Sequence, residues 1–275
     1  MHTVLPRFRA FVTPVLIASL MGFGGCGEDA AGPDASDAPE IPPLSTFLID
    51  FSSFADAGAS RPAEAVTSVN WGHAAFTALV WNTLITVGLA VPVAAFAESF
   101  NHVPLQTADG SWLWSYSVTA GSQVYTAKLY GSLVAAGTHW EMFITKHGVY
   151  DDFLWYTGDA DLTLTEGSWM LNRSPEQPHP LLEIAWHRDP QEGTADIRYS
   201  NVESGNPEQG GYILYGTTVF DQYDGFYDVY NKGQDNHTDA EWDFENGDGR
   251  VRDPRHFGDN DWHCWDEDQQ DVICP

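Results

Sequence analysis

The feature that most constrains how this chain can fold is a run of 33 residues, 65–97, without a single Asp, Glu, Lys or Arg. Charged residues make up 19% of the whole chain, so the run stands apart from its surroundings. Ahead of it, Pro62 suits a first helical turn by its fixed φ, and Glu64 suits the positive end of a helix dipole. Val66, Val69, His73, Phe76, Val80, Leu84 and Val87 then recur at helical spacing, which predicts a helix over 62–100. The other side, with Ala74, Ala75, Leu79 and Trp81, is scarcely more polar. A helix apolar all round is either a membrane span or an element wrapped by other structure. Asn70, His73, Asn82 and Thr83 interrupt the apolar surface, Gly88 and Pro92 break the run, and no basic residues flank it to orient a span. Burial inside a domain is therefore expected, with a span at 65–97 as the alternative.

The N-terminus has the layout of an export signal. Arg7 and Arg9 form a basic start, and residues 11–20 form an apolar stretch too short for a stable span. Met21-Gly22-Phe23-Gly24-Gly25-Cys26 follows, and these residues resemble the lipobox of bacterial lipoproteins. Gly24 and Gly25 match its small positions and Cys26 its acceptor, while Phe23 stands where that family usually has Leu. The resemblance covers the first 26 residues only. It implies that residues 1–25 are a removed signal peptide, that Cys26 carries lipid, and that the protein is anchored in the cell envelope, facing the periplasm or the exterior. Residues 26–46 hold Pro33, Pro39, Pro42, Pro43 and five acids, which reads as a disordered tether. Residues 47–275 are expected to form a single domain.

Cysteine arithmetic agrees with the anchor. Three cysteines is an odd number for an exported chain. With Cys26 on lipid, Cys264 and Cys274 remain as a disulfide pair for an oxidising compartment. The formal net charge is -27, and it becomes -29 once residues 1–25, with two arginines and no acid, are gone. Such a field repels nucleic acid and anionic membrane surfaces. The expected partners are therefore a membrane, through the N-terminal lipid, and an apolar ligand, but no nucleic acid.

Beyond Gln106 the hydrophobic period changes from 3.6 to 2. Trp112, Trp114, Tyr116 and Val118 share one strand face, and Trp140, Met142 and Ile144 share another. Similar short segments follow down to 241–245, including 162–165, with Gly, Asp, Asn and Pro clusters between them. Phe47, Ile49 and Phe51 alternate in the same way and predict a short strand ahead of the helix. A weak repeat, Gly110-Ser-Trp and Gly167-Ser-Trp, suggests similar hairpins laid side by side. The expected fold is mainly β: a long, curled antiparallel meander, half-barrel or barrel-like, packed around a buried N-terminal helix. Thirteen per cent of the residues are aromatic, 11 of them Trp, which suits broad apolar surfaces pressed together.

The sequence contains no G-x-S-x-G, H-E-x-x-H, P-loop or G-x-G-x-x-G. Glu141, Glu183 and Glu241 each alternate with apolar neighbours, so strand parity turns them to solvent. His73 is expected as a hydrogen-bonded core histidine. Asp243-x-Glu245-x-Gly247-Asp248-Gly249 resembles part of a calcium loop, but out of EF-hand register. No cofactor is expected; a structural calcium in the acidic C-terminal region is the weaker reading, and the sequence leaves any metal undefined. The expected function is non-enzymatic, either structural or apolar-ligand binding. The inferred shape is similar to half-barrel lipoprotein carriers of the LolA/LolB type, although no motif of that family occurs. On that reading Phe76, Trp81, Trp112, Trp114 and Trp140 line the apolar interior. A secreted hydrolase with an unrecognised site is the alternative.

Overall fold

Fourteen strands run as an uninterrupted antiparallel meander in which each strand pairs with the next in sequence. The computed structural model describes residues 37–58, 68–219 and 222–275. In chain order the strands are β1 (Leu105–Gln106), β2 (Trp112–Ala120), β3 (Gln123–Val134), β4 (Gly137–Lys146) and β5 (Tyr150–Ala160). Then come β6 (Glu166–Ser174), β7 (Gln177–Asp189), β8 (Thr194–Asn201), β9 (Tyr212–Thr217) and β10 (Gly225–Asn231). The last four are β11 (Asn236–Trp242), β12 (Gly249–Arg252), β13 (His263–Trp265) and β14 (Asp271–Val272). The sheet is curled but not closed. Both of its edges end in two-residue strands, and β1 pairs with only Trp112 and Leu113 of β2. Residues 162–165, expected as a strand, form a turn instead. The Asp161 carboxylate takes the Thr165 and Glu166 amides (2.7 and 2.9 Å), and Leu164 adopts a positive φ of 53°.

Alternation decides which face is inside, and the curl decides which side chains fit there. Trp112, Gly131, Trp140, Gly158 and Trp169 stand opposite one another on five successive strands, β2 to β6. Gly225, Trp242, Gly249 and Trp265 repeat the pattern across β10 to β13. The rings of Trp140, Trp169, Trp242 and Trp265 each lie over the glycine of the preceding strand. A Cβ placed on Gly131, Gly158, Gly225 or Gly249 would come within 2.6, 2.1, 2.5 or 2.4 Å of that ring. The concave side of a curled sheet has less room per residue than the convex side. Alternating the largest side chain with none fills it without voids. The two Gly-Ser-Trp sequences place their tryptophans, Trp112 and Trp169, at the two ends of the first row.

The N-terminal part of the chain lies across this concave face. Two helices, α1 (Val69–Gly88) and α2 (Ala90–Ser99), fill the helical stretch expected over 62–100, divided where Gly88 and Pro92 interrupt it. They bend by 74° at Leu89. Pro92 accounts for the break: it has no N–H for the Gly88 carbonyl and its ring would clash with that carbonyl in a continuous helix, whereas in the first turn of α2 its missing N–H has no partner to lose. Pro62 and Glu64 lie outside the described residues. Phe47, Ile49 and Phe51 are buried as their alternation implies, but they form no strand. Their segment, flanked by 3-10 turns at Leu44–Thr46 and Ser52–Gly58, crosses the sheet instead of joining it. Its carbonyls are met by tyrosine hydroxyls rising from the sheet: Tyr199 donates to Phe47 O (2.6 Å) and Tyr215 to Asp50 O (2.5 Å). Tyr116 and Tyr227 do the same for Ala95 O and Ala74 O on the helices (2.6 and 3.0 Å). These phenols satisfy buried backbone polar groups that have no ladder partner. Ile41 and Thr46 are also buried, so the body takes in residues that composition assigns to the tether.

The helix meets the sheet with its small side. Asn70, Trp71, Ala74, Ala75, Ala78 and Ile85 are the buried residues of α1. Of the stripe that defined the helical period, Val69, Phe76, Val80, Leu84 and Val87 point away, and Phe76 is 61% exposed. The sheet already supplies tryptophans and tyrosines, so only a near-flat alanine face can lie close against it. Two polar clamps then fix α1. The Asp271 carboxylate accepts the Val69 and Asn70 amides (3.1 and 2.9 Å) at the start of the helix, from 200 residues away in sequence. Asp271 sits in the loop closed by the disulfide Cys264–Cys274, whose sulfurs are 2.10 Å apart. The second clamp is His73 Nε2–H to Asp253 Oδ2 (2.9 Å), with the His73 ring stacked on His256 at 3.7 Å. His73 is thus the hydrogen-bonded histidine expected of it.

Candidate functional site

Where the second half of α1 passes the ends of β7 to β10, helix and sheet separate and leave a groove of about 510 Å³. The helix contributes Val80, Trp81, Leu84, Ile85 and Gly88, and the bend after it Leu89. The sheet contributes Leu181 and Leu182 from β7, Tyr199 and Asn201 from β8, Tyr212 from β9, and Val229, Tyr230 and Asn231 from β10. Glu208 and Gly211 complete the lining from the β8–β9 connection. Val80 and Leu84 remain 40% and 57% exposed, so the groove opens outward beside the helix. The Tyr199 hydroxyl is engaged with Phe47 O, which leaves its ring as wall. The hydroxyls of Tyr212 and Tyr230 are turned to Asp228 Oδ2 (2.6 Å) and Asp235 Oδ1 (2.9 Å). Burial first, then the neighbouring Asp228 carboxylate, pushes the Tyr212 phenol up to about 12, so it acts only as a donor. Asn201, Glu208 and Asn231 are the remaining polar side chains. A mostly apolar wall of aliphatic side chains and aromatic rings with a few polar groups, in this size range, is the form of a small-molecule site.

Of the five residues expected to line the interior, Trp81 alone lines this groove. Trp112, Trp114 and Trp140 are 3%, 3% and 0% exposed and belong to the packed core. The Trp–Gly rows and α2 fill the space they face. Phe76 lies on the outer side of α1, which reverses the expectation that it is buried. Cys26 lies outside the described residues. Sequence reasoning missed Leu181, Leu182 and Val229, because nothing in a strand's own pattern says which end a helix will cross.

Other clusters of chemical groups are internally satisfied. Glu141, Glu183 and Glu241 stand on the outer face of β4, β7 and β11, too far apart to act together, and Glu241 pairs with Arg250 (2.6 Å). Asp228, His237 and Asp239 bring three candidate ligand atoms within 4.8 Å of one another, a grouping the sequence did not suggest. Their oxygens already accept from Tyr212, His237 Nδ1 (2.8 Å) and Arg252 (2.8 Å). Asp243 caps its own turn through the Glu245 amide (2.8 Å). No single described helix is long and apolar enough to cross a membrane; α1 and α2 reach that length and composition only together, across their bend.

Comparison with protein-family models, with curated proteins and with solved structures finds no match, so the groove stands on its own residues.

Proposed function

We propose that this protein is a lipid-anchored envelope protein that takes an apolar or amphiphilic ligand, of the size of an acyl chain, into the groove between α1 and β7–β10. The groove's apolar lining carries the reading: five residues of the charge-free α1, with Leu89 at the bend, face Leu181, Leu182 and Val229 across about 510 Å³. Filling such a space removes apolar surface from water at about 25 cal/mol per Å², which is the driving force available. The groove brings together no nucleophile with a base, so binding rather than turnover is the chemistry it supports.

Titration with a fluorescent fatty acid such as cis-parinaric acid tests this. The expected result is saturable binding at one site, weakened roughly tenfold, or about 1.4 kcal/mol, by Leu182→Gln. Absence of saturable binding, or equal affinity in the variant, rules the reading out.

A further inference from the structure

The outward face of α1 is left unexplained by the fold and by the groove alone. Val69, Phe76 and Val87 are 53%, 61% and 74% exposed, and Leu79 is 40% exposed. Val80 and Leu84 carry this stripe without a break into the mouth of the groove. A surface helix ordinarily turns charge outward. Here no charged residue occurs between 68 and 97. The threonines on the same side need no solvent: Thr83 Oγ1 donates to Leu79 O (2.8 Å) and Thr86 Oγ1 to Asn82 O (2.7 Å). Folding a hydroxyl back onto the carbonyl one turn earlier satisfies it where water is scarce.

We propose that this face docks into the headgroup–acyl boundary of a lipid bilayer, laying α1 in the membrane plane so that the groove opens directly onto lipid. The use of that opening rests on the ligand reading above; the docking itself does not. Two observations favour a bilayer over a second copy of the chain. Each copy carries a formal charge of -27, and pairing two such bodies face to face works against that repulsion. A zwitterionic headgroup surface presents no such opposition. The second observation is reach. Eleven residues lead from Cys26 to Asp37, a contour of at most about 40 Å. Lipid on Cys26 would therefore hold the body close enough to meet the bilayer at high effective concentration. With no basic residue on the face and a net charge of -27 on the chain, docking should be neither strengthened by anionic lipid nor weakened by salt, unlike that of a polybasic surface.

The test is vesicle flotation of the chain from residue 26 onward, which contains every described core residue. It carries Cys26→Ser, so that no acyl chain contributes. Phosphatidylcholine vesicles are the probe, at low and high salt. The expected result is co-flotation at both salts, reduced at least tenfold by Phe76→Asp/Val87→Asp. Neither residue lines the groove, so the variant should keep wild-type melting and wild-type binding of cis-parinaric acid. Wild type that stays at the bottom of the gradient overturns the proposal, whether because the face is covered by the chain itself or because it is idle. Flotation unaffected by the double substitution overturns it as well. A dimer in sedimentation, abolished by the substitution and without flotation, assigns the face to a second copy instead. Because the anchor is absent and ligand binding is measured separately, failure of docking is distinguishable from failure of lipidation or of the groove.

Discussion

At Gly158 an added methyl group would stand 2.1 Å from Cε3 of the Trp169 ring, which is itself 1% exposed and has nowhere to go. At Gly72, in α1, the same methyl meets nothing within 4 Å. The two glycines therefore predict opposite signs for one substitution. Gly158→Ala should destabilise by about 1–3 kcal/mol, since an overfilled core must shift or strain its rotamers. Gly72→Ala should stabilise by about 0.5–1 kcal/mol, because a helix interior favours Ala over Gly. Denaturant midpoints of the two variants against wild type check both. If Gly158→Ala matches wild type, the close Trp–Gly contact across β5 and β6 is wrong. Neither outcome could be read from sequence. The chain shows 25 glycines and 11 tryptophans, but only strand register reveals which of them face each other.

At the scale of elements, the docking of α1 depends on groups that titrate. Burial lowers the His73 pKa below its ordinary 6.5, outweighing the opposing effect of the Asp253 carboxylate. Burial alone would raise Asp253, but hydrogen bonds from Asn236, Thr238, His73 and the His256 amide hold it down at about 2. In both cases the unfolded chain binds protons more readily than the folded one. Stability is then full above pH 6.5 and is lost as pH falls, first through His73 and then, below about 4, through Asp253. The melting temperature should decline between pH 6.5 and 5. His73→Gln, which keeps a donor for Asp253, should flatten that part of the curve and spare the steeper fall at lower pH. A melting temperature that rises as the solution is brought from pH 7 to 5 would contradict the arrangement. The period of α1 was legible in sequence, but its orientation was not. Val69, Phe76, Val80, Leu84 and Val87 mark the stripe correctly, and the structure turns it outward. Hydrophobic periodicity identifies faces, and the shape of the partner surface decides which face is used.

For the molecule as a whole, the expected consequence of its N-terminus is membrane attachment through Cys26. Cells grown with a clickable palmitate analogue should show label on the wild type and none on Cys26→Ser; equal labelling of the two rules lipidation out. Attachment there, the charge-free helix face and the groove opening beside it are the three features on which the proposed binding of apolar ligands at a bilayer surface rests.

Sequence by itself determined the class of this fold. Alternation with period 2, punctuated by turn residues, implied an antiparallel meander, and the one charge-free segment was the available cover for its apolar side. Parity along single strands also placed Glu141, Glu183 and Glu241 outside, and the lipobox resemblance, by assigning Cys26 to lipid, left Cys264 and Cys274 for the disulfide. These are local properties, carried by neighbours in the chain. Only the tertiary structure decided that α1 lies on its alanines, that Asp271 caps it from the far end of the chain, and that the groove forms at the ends of β7–β10. Each of those depends on surfaces meeting across long sequence separations. There, the volume left by one set of side chains selects what the other can bring.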